Sequence, residues 1–240
     1  MNNINDNLEN VHARIKSACK STNRNIEDVR LLLATKTVDT DRIKIALDCG
    51  ETLIGENKVQ ELRDKYEQLL NYDIEKHFIG YLQTNKIKDV LKYATCIQSV
   101  DRIDLVQKLD KRLMYEGRSI DIFIQVNTSY EKSKFGVLPE EAINLVKETS
   151  RYDTLRIKGL MTIGLLSSDN ESVRKCFKLL KSLQEQIIEK NIEGVSMDDL
   201  SMGMSGDFET AIEEGATIIR VGSDIFGNRV HADDYWRNHK

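Results

Sequence analysis

Lys36 is the residue of this 240-residue chain whose type and position most directly suggest chemistry. It follows residues 29–35, a mostly apolar run that is typical of a buried strand. In an α/β barrel, functional side chains lie where the strands end. A lysine there loses solvation, its pKa falls, and its amine can attack an aldehyde to form a Schiff base. Position alone favours a simpler interpretation, in which the charged end of the lysine reaches the surface. The prediction of a Schiff base therefore depends on other residues.

Two glycine-containing loops late in the chain suggest an anion site. Residues 201–206 lead into a predicted helix, and Arg220 is followed closely by Gly222 and Ser223. The loops after the seventh and eighth strands of α/β barrels often bind phosphate through backbone N–H groups. We assign Ser205 to the N-cap of the predicted helix, where its hydroxyl would face an anion. The alternative is two ordinary glycine turns, but both loops occur where the fold places phosphate sites.

A Schiff-base lysine and a phosphate site on the same rim predict a small ligand that carries both an aldehyde and a phosphate. Pyridoxal 5′-phosphate (PLP) has both groups and is the first candidate. A sugar phosphate is the competing candidate, and an aldolase would be the corresponding enzyme.

The elements that must position these residues alternate regularly along the chain. An amphipathic helix over residues 4–18 comes first, and Asp101 is the predicted N-cap of a later helix. Predicted helices separate eight predicted strands, at about 30–35, 52–55, 77–80, 95–98, 120–126, 155–161, 199–202 and 217–221. The pattern predicts a single (β/α)₈ TIM-type barrel over residues 1–240. The alternative, a doubly wound open sheet, would need a phosphate-binding glycine fingerprint after its first strand, where residues 36–39 have none.

Composition narrows the class of protein. The formal net charge is −4, with acidic and basic residues interspersed, which gives no electrostatic case for nucleic acid or for an anionic membrane surface. No apolar run approaches the roughly 18 residues of a membrane-spanning helix, and the first residues do not resemble a secretory signal. The four cysteines are scattered without metal-ligand spacing, as is typical of reduced thiols. We expect a cytoplasmic protein.

Further polar or adaptable side chains fall at the predicted strand ends, among them Asn57, His77 and Met161. Each has a simpler interpretation: Asn57 as a helix cap, His77 as a packed strand residue and Met161 as core. Glu56 is expected to be structural, paired with a base such as Lys58 or Arg220.

Taken together, the motifs resemble those of the pyridoxal phosphate homeostasis proteins of the YggS/PROSC type. The resemblance extends over nearly the whole chain, in six ordered motifs. These are LLATKT (32–37), GENKVQE (55–61), HFIGYLQTNK (77–86), QVN (125–127) with Lys134 and Gly136, GLMT (159–162), and LSMGMSGD (200–207) with RVG (220–222) and FGNR (226–229). The family is similar in fold to the barrel domain of bacterial alanine racemase, a fold-type III PLP protein.

The resemblance implies that Lys36 carries PLP as an internal aldimine. It also implies phosphate contacts from Ser205, Gly222 and Ser223, and a cofactor ring near Asn57, His77, Met161 and Ser201. Arg220 would face the pyridine nitrogen. Because an arginine stays protonated, the ring nitrogen stays largely neutral and stabilises carbanions poorly, which suits holding the cofactor better than turning over substrates.

The function implied is reversible PLP binding in homeostasis, without turnover, with apo PLP-dependent enzymes as recipients. We expect a monomer or a weak dimer. The alternative is an amino-acid racemase, which needs a second acid or base opposite the lysine. The related racemases take this group from a second domain, and the 11 residues after Arg229 are too few to form one. Tyr81 or Tyr130 would be the substitutes.

Overall fold

Eight segments of the chain pair in sequence order to close a parallel barrel. The structure is a computed structural model that describes residues 3–227. Each strand pairs in parallel with the next, and the last pairs with the first, so the sheet closes. The strands are β1 (Arg30–Ala34), β2 (Leu53–Glu56), β3 (Glu75–Phe78), β4 (Cys96–Val100), β5 (Ile120–Gln125), β6 (Leu155–Met161), β7 (Asp199–Met204) and β8 (Ile218–Val221).

One helix precedes the barrel, seven connect its strands, and a short one follows the last strand within residues 3–227. The helices are α1 (Ile4–Ser21), α2 (Thr40–Asp48), α3 (Val59–Tyr66), α4 (Ile87–Tyr93), α5 (Ile103–Glu116), α6 (Pro139–Thr149), α7 (Asn170–Glu189), α8 (Phe208–Glu213) and α9 (Ser223–Phe226). The predicted barrel fold and its amphipathic first helix are confirmed. Among residues 3–227, no helix has the length and apolarity needed to cross a bilayer.

The core has two layers because the strands are covered on both faces. The outer and larger layer lies between strands and helices, and takes in the apolar faces of α1, α5 and α7. The inner layer is a cluster of side chains from six strands: Leu32, Leu53, Cys96, Phe123, Met161 and Ile218. Met161 therefore packs in the barrel core, as its simpler interpretation has it.

Several predicted boundaries were wrong by one to three residues, among them the three that follow. β3 runs from Glu75 to Phe78, two residues earlier at both ends than predicted, because Leu53 of β2 pairs with Glu75 even though Glu75 is charged and exposed. The N-cap of α5 is Arg102 rather than Asp101, and no side-chain hydrogen bond caps it. The N-cap of α8 is Asp207, so Ser205 lies before the helix. The assignment of residues 1–240 to one domain stays a prediction, and residues 228 and 229 of the last motif lie outside the described range.

Gly159 offers a direct test of the β6–β7 pairing. A Cβ added there would lie 1.8 Å from the Asp199 carbonyl oxygen, so an alanine would force the two strands apart. We expect Gly159→Ala to lower the free energy of unfolding by about 3 kcal/mol, measured by urea denaturation. Gly206→Ala is the matched control, since a Cβ there meets nothing within 4 Å. Equal stabilities of the two variants would contradict this packing.

Candidate functional site

A cavity of about 260 Å³ opens where β1, β7 and β8 end. Five of the nine predicted site residues line it: Lys36, Ser205, Arg220, Gly222 and Ser223. They come from the first strand and the last two strands, which the closed barrel makes neighbours. The cavity therefore combines an amine, a guanidinium and loop backbone in one place.

Lys36 lies in a tight turn directly after β1. The Val38 N–H donates to the Thr35 carbonyl at 3.0 Å, which closes the turn. Thr37 has a φ of 59°, in the left-handed region that a β-branched residue rarely adopts. Such strain persists only where surrounding contacts hold it, and it is found mostly at functional sites.

A buried ion cluster supplies those contacts. The Lys65 ammonium donates to the Thr35 carbonyl at 2.8 Å and to Glu56 Oε1 at 2.6 Å. It also lies 3.2 Å from Glu61 Oε2, which accepts the Thr37 N–H at 2.6 Å. The residues on both sides of Lys36 are thus held by one cluster, which we call the Lys65 cluster (Glu56, Glu61 and Lys65). The base paired with Glu56 is Lys65, a residue that the sequence analysis did not identify.

Glu56 is the acid of the Lys65 cluster that lies at the end of β2. Its side chain is fully buried, and its Oε2 has no hydrogen-bond partner in the described structure. Burial raises the pKa of Glu56 to about 7, while the nearby Lys65 charge opposes the shift. The carboxyl group therefore titrates near neutral pH, next to the strand end that carries Lys36.

Arg220 provides the second cation of the cavity. Its Nη1 donates to Ser201 Oγ at 2.8 Å and its Nη2 to the Thr162 carbonyl at 2.7 Å, and both acceptors are uncharged. Burial lowers the pKa of Arg220 to about 10, and Asp207 opposes the shift, so the guanidinium remains protonated at neutral pH. A guanidinium has five N–H donors, so it can also donate toward a ligand in the cavity.

The loops after β7 and β8 approach each other across the cavity. The Gly222 N–H lies 3.4 Å from Ser205 Oγ, a long contact that leaves both groups available to an anion. Gly222 is required where the end of β8 passes the end of β1, because a Cβ there would lie 2.9 Å from the Ala34 carbonyl oxygen. Arg14 of α1 fixes the loops from outside, through the Ser205 carbonyl at 3.2 Å and the carboxylates of Glu209 and Asp224.

The other four predicted site residues lie elsewhere. Met161 is in the inner core, and Asn57 lines a separate cavity of about 180 Å³. Asn57 does not cap a helix, since the N-cap of α3 is Lys58. His77 and Ser201 are buried and belong to one hydrogen-bonded series, in which Gln98 lies between them. Sequence patterns did not indicate a role for Gln98, although this polar residue ends the predicted strand at 95–98.

Because the Lys65 cluster is buried, removing the lysine of its ion pair should destabilise the protein more than removing the lysine of an exposed ion pair. Lys65→Met leaves two buried carboxyl groups without their cation, and we expect a loss of about 3–5 kcal/mol in the free energy of unfolding. Lys108→Met is the matched control, because Lys108 also pairs with an acid four residues away, Asp104, but on the surface. There we expect a change below about 1 kcal/mol. Similar losses in urea denaturation would show that the Lys65 cluster does not stabilise the fold.

The raised pKa of Glu56 also predicts that the free energy of unfolding depends on pH. Because its pKa rises from 4.5 to about 7 on folding, the folded state holds more protons than the unfolded chain between these values. The resulting stabilisation is complete below the unfolded pKa and is lost as pH rises through the folded pKa. The stability of wild type relative to Glu56→Gln should therefore fall with pH, by up to about 1.4 kcal/mol per unit. Urea denaturation of both proteins across this range measures the slope, and parallel profiles would refute the assignment.

Comparisons with known proteins agree with this architecture. The family model for the N-terminal domain of alanine racemase matches residues 7–230. A pyridoxal phosphate homeostasis protein of Aquifex aeolicus is 41% identical over 222 residues, which cover 92% of this chain and 96% of that protein.

Two solved structures are similar over nearly their whole length. A protein of Bifidobacterium adolescentis, described as unknown, is 37% identical with a TM-score of 0.88, over 93% of this chain and 94% of that one. PipY of Synechococcus elongatus, with PLP bound, is 28% identical with a TM-score of 0.78, over 89% of this chain and 100% of that one. By its sequence and its barrel, the chain belongs to the family of pyridoxal phosphate homeostasis proteins.

Proposed function

We propose that this protein binds PLP reversibly through Lys36 and acts as a carrier in PLP homeostasis, without turnover of its own. One observation carries the proposal: an amine, a guanidinium and two converging loops line a single cavity. The relatives named for PLP homeostasis and the PLP-bound PipY structure support it.

The residues of the cavity fit the three parts of PLP. The Lys36 amine would condense with the aldehyde, so that a C=N bond forms and the carbonyl oxygen leaves as water. The phosphate would lie against the Gly222 N–H and the hydroxyls of Ser205 and Ser223, all of which line the cavity. Arg220 would donate to the pyridine nitrogen. Ring contacts from Asn57, His77, Met161 and Ser201 stay predictions.

Two features favour a carrier over a racemase. Arg220 keeps its proton, so a pyridine nitrogen facing it would stay neutral and the ring would be a weak electron sink. Among the described residues lining the cavity there is no tyrosine, histidine or cysteine to serve as a second acid or base. The carboxyl group there is Asp207, whose Oδ1 already accepts the Met204 N–H at 2.6 Å.

The setting proposed for this function is the cytoplasm. The four cysteines are unpaired, three of them buried, which suits a reducing compartment. The recipients would be apo PLP-dependent enzymes, and the carrier would be a monomer or a weak dimer.

The visible spectrum tests the covalent link. We expect the wild-type protein mixed with PLP to show the absorption band of a Schiff base, and Lys36→Ala to lose it. Lys76→Ala is the matched control, because Lys76 is a partly buried lysine whose pKa is lowered by burial and which does not line the cavity. A band that survives in Lys36→Ala, or disappears in Lys76→Ala, would contradict the assignment.

The absence of turnover needs its own measurement. We expect no racemisation, decarboxylation or transamination of free amino acids above the Lys36→Ala background, together with transfer of PLP to an apo-enzyme. Sustained turnover of any amino acid would favour the racemase instead. A colourless protein that cleaves a sugar phosphate would favour the aldolase.

A further inference from the structure

A continuous series of side-chain hydrogen bonds crosses the barrel interior from Arg220. Arg220 Nη1 lies 2.8 Å from Ser201 Oγ, which lies 2.6 Å from Gln98 Oε1. Gln98 Nε2 lies 2.7 Å from His77 Nδ1, and His77 Nε2 lies 3.1 Å from Glu75 Oε2. The series links β8, β7, β4 and β3. It runs from the ligand cavity to the opposite, amino end of the barrel.

The two ends fix the direction of every hydrogen bond. Arginine can only donate, and an ionised carboxylate can only accept. Ser201 Oγ accepts from Arg220 and donates its single proton to Gln98 Oε1, the acceptor that lies 2.6 Å away. The Gln98 amide then donates to His77 Nδ1, so the His77 proton is on Nε2 and goes to Glu75. Reversing the Gln98 amide would leave the Ser201 proton without this acceptor.

Because these side chains are buried, each donor needs the acceptor that this order of hydrogen bonds gives it. Ser201 and Gln98 are fully buried, and His77 is 3% exposed, so water does not substitute for a missing partner. At the far end, Glu75 is half-exposed and also pairs with Arg30 at 2.5 Å. The hydrogen bond from His77 lowers the pKa of Glu75, which keeps that carboxylate ionised.

We propose that Ser201, Gln98 and His77 form a positioning series that orients Arg220 toward the ligand and replaces a direct carboxylate partner. Each of the three presents its acceptor atom toward Arg220 and its donor toward Glu75. Their aligned dipoles therefore favour the buried positive charge while leaving the other guanidinium N–H groups directed to the cavity. Because arginine keeps its proton, the series orients and does not conduct protons. The ligand in question is that of the proposed function, on which this inference rests.

Gln98 is the position to substitute. Gln98→Met keeps the length of the side chain but removes both hydrogen bonds, and we expect the dissociation constant for PLP to rise about tenfold. Gln98→Glu keeps an acceptor for Ser201 and should recover most of the affinity. Gln125→Met is the matched control: Gln125 is also a buried strand glutamine, but it donates to the Phe135 carbonyl, and we expect less than a twofold change.

A double-mutant cycle separates positioning from general packing. If Gln98 acts through Arg220, Gln98→Met should have no further effect on PLP affinity in the Arg220→Met background. An equal loss in both backgrounds, or an equal loss in Gln125→Met, would overturn the proposal.

A measurement on ligand-free wild-type protein keeps the test independent of the proposed function and of variant folding. Nitrogen-15 NMR of the histidine side chains, with His77 assigned through His77→Gln, should show the neutral Nε2–H tautomer. The Nδ1–H tautomer would overturn the direction of the series. Failure of wild type to bind PLP would reject the proposed function, and the tautomer would still decide whether the series exists as described.

Discussion

The position of Lys36 depends on the buried ammonium group of Lys65. That group holds the Thr35 carbonyl at the end of β1 and joins Glu56 of β2 to Glu61 of α3. Glu61 in turn accepts the N–H of Thr37, whose left-handed backbone would otherwise relax. One cation thereby joins two strands and a helix around the turn that carries the Lys36 amine. A buried charge is a costly way to stabilise a fold, but its directional bonds specify one arrangement of the backbone.

The two buried cations near the site, Lys65 and Arg220, differ in the charge of their hydrogen-bond partners. Lys65 is paired with carboxylates and has no part in lining the cavity, so its charge is neutralised within the protein. Arg220 bonds to uncharged oxygens, and its charge remains available to an acceptor in the cavity. Outside the cavity, Arg14 binds Glu209 and Asp224, which reduces the negative charge that an approaching phosphate would meet.

Sequence patterns were sufficient to predict the barrel because most of its strands contain a short apolar run between helical segments. The limits of β6 were predicted to the residue, since Leu155 follows a turn and Met161 ends an apolar run. The start of β3 was missed because Glu75 and Lys76 are charged and lie at the exposed end of the strand. The caps of α5 and α8 were misplaced by one or two residues because local backbone geometry, and not residue type, decides which residue precedes the first turn.

The residues that line the candidate site were predictable where they follow a strand, and the residues that contact them across the barrel were not. Lys36, Arg220 and Gly222 could be found because the fold brings strand ends together. Gln98 could not, since its partners are 21 residues before it and 103 residues after it, and spacing carries no information at such separations. Its role follows from satisfaction of hydrogen bonds: a buried serine has one proton to give, and Arg220 cannot accept it. The groups that orient a ligand-contacting residue therefore lie beyond the cavity lining. They are found by assigning the donor and the acceptor of each buried hydrogen bond in turn.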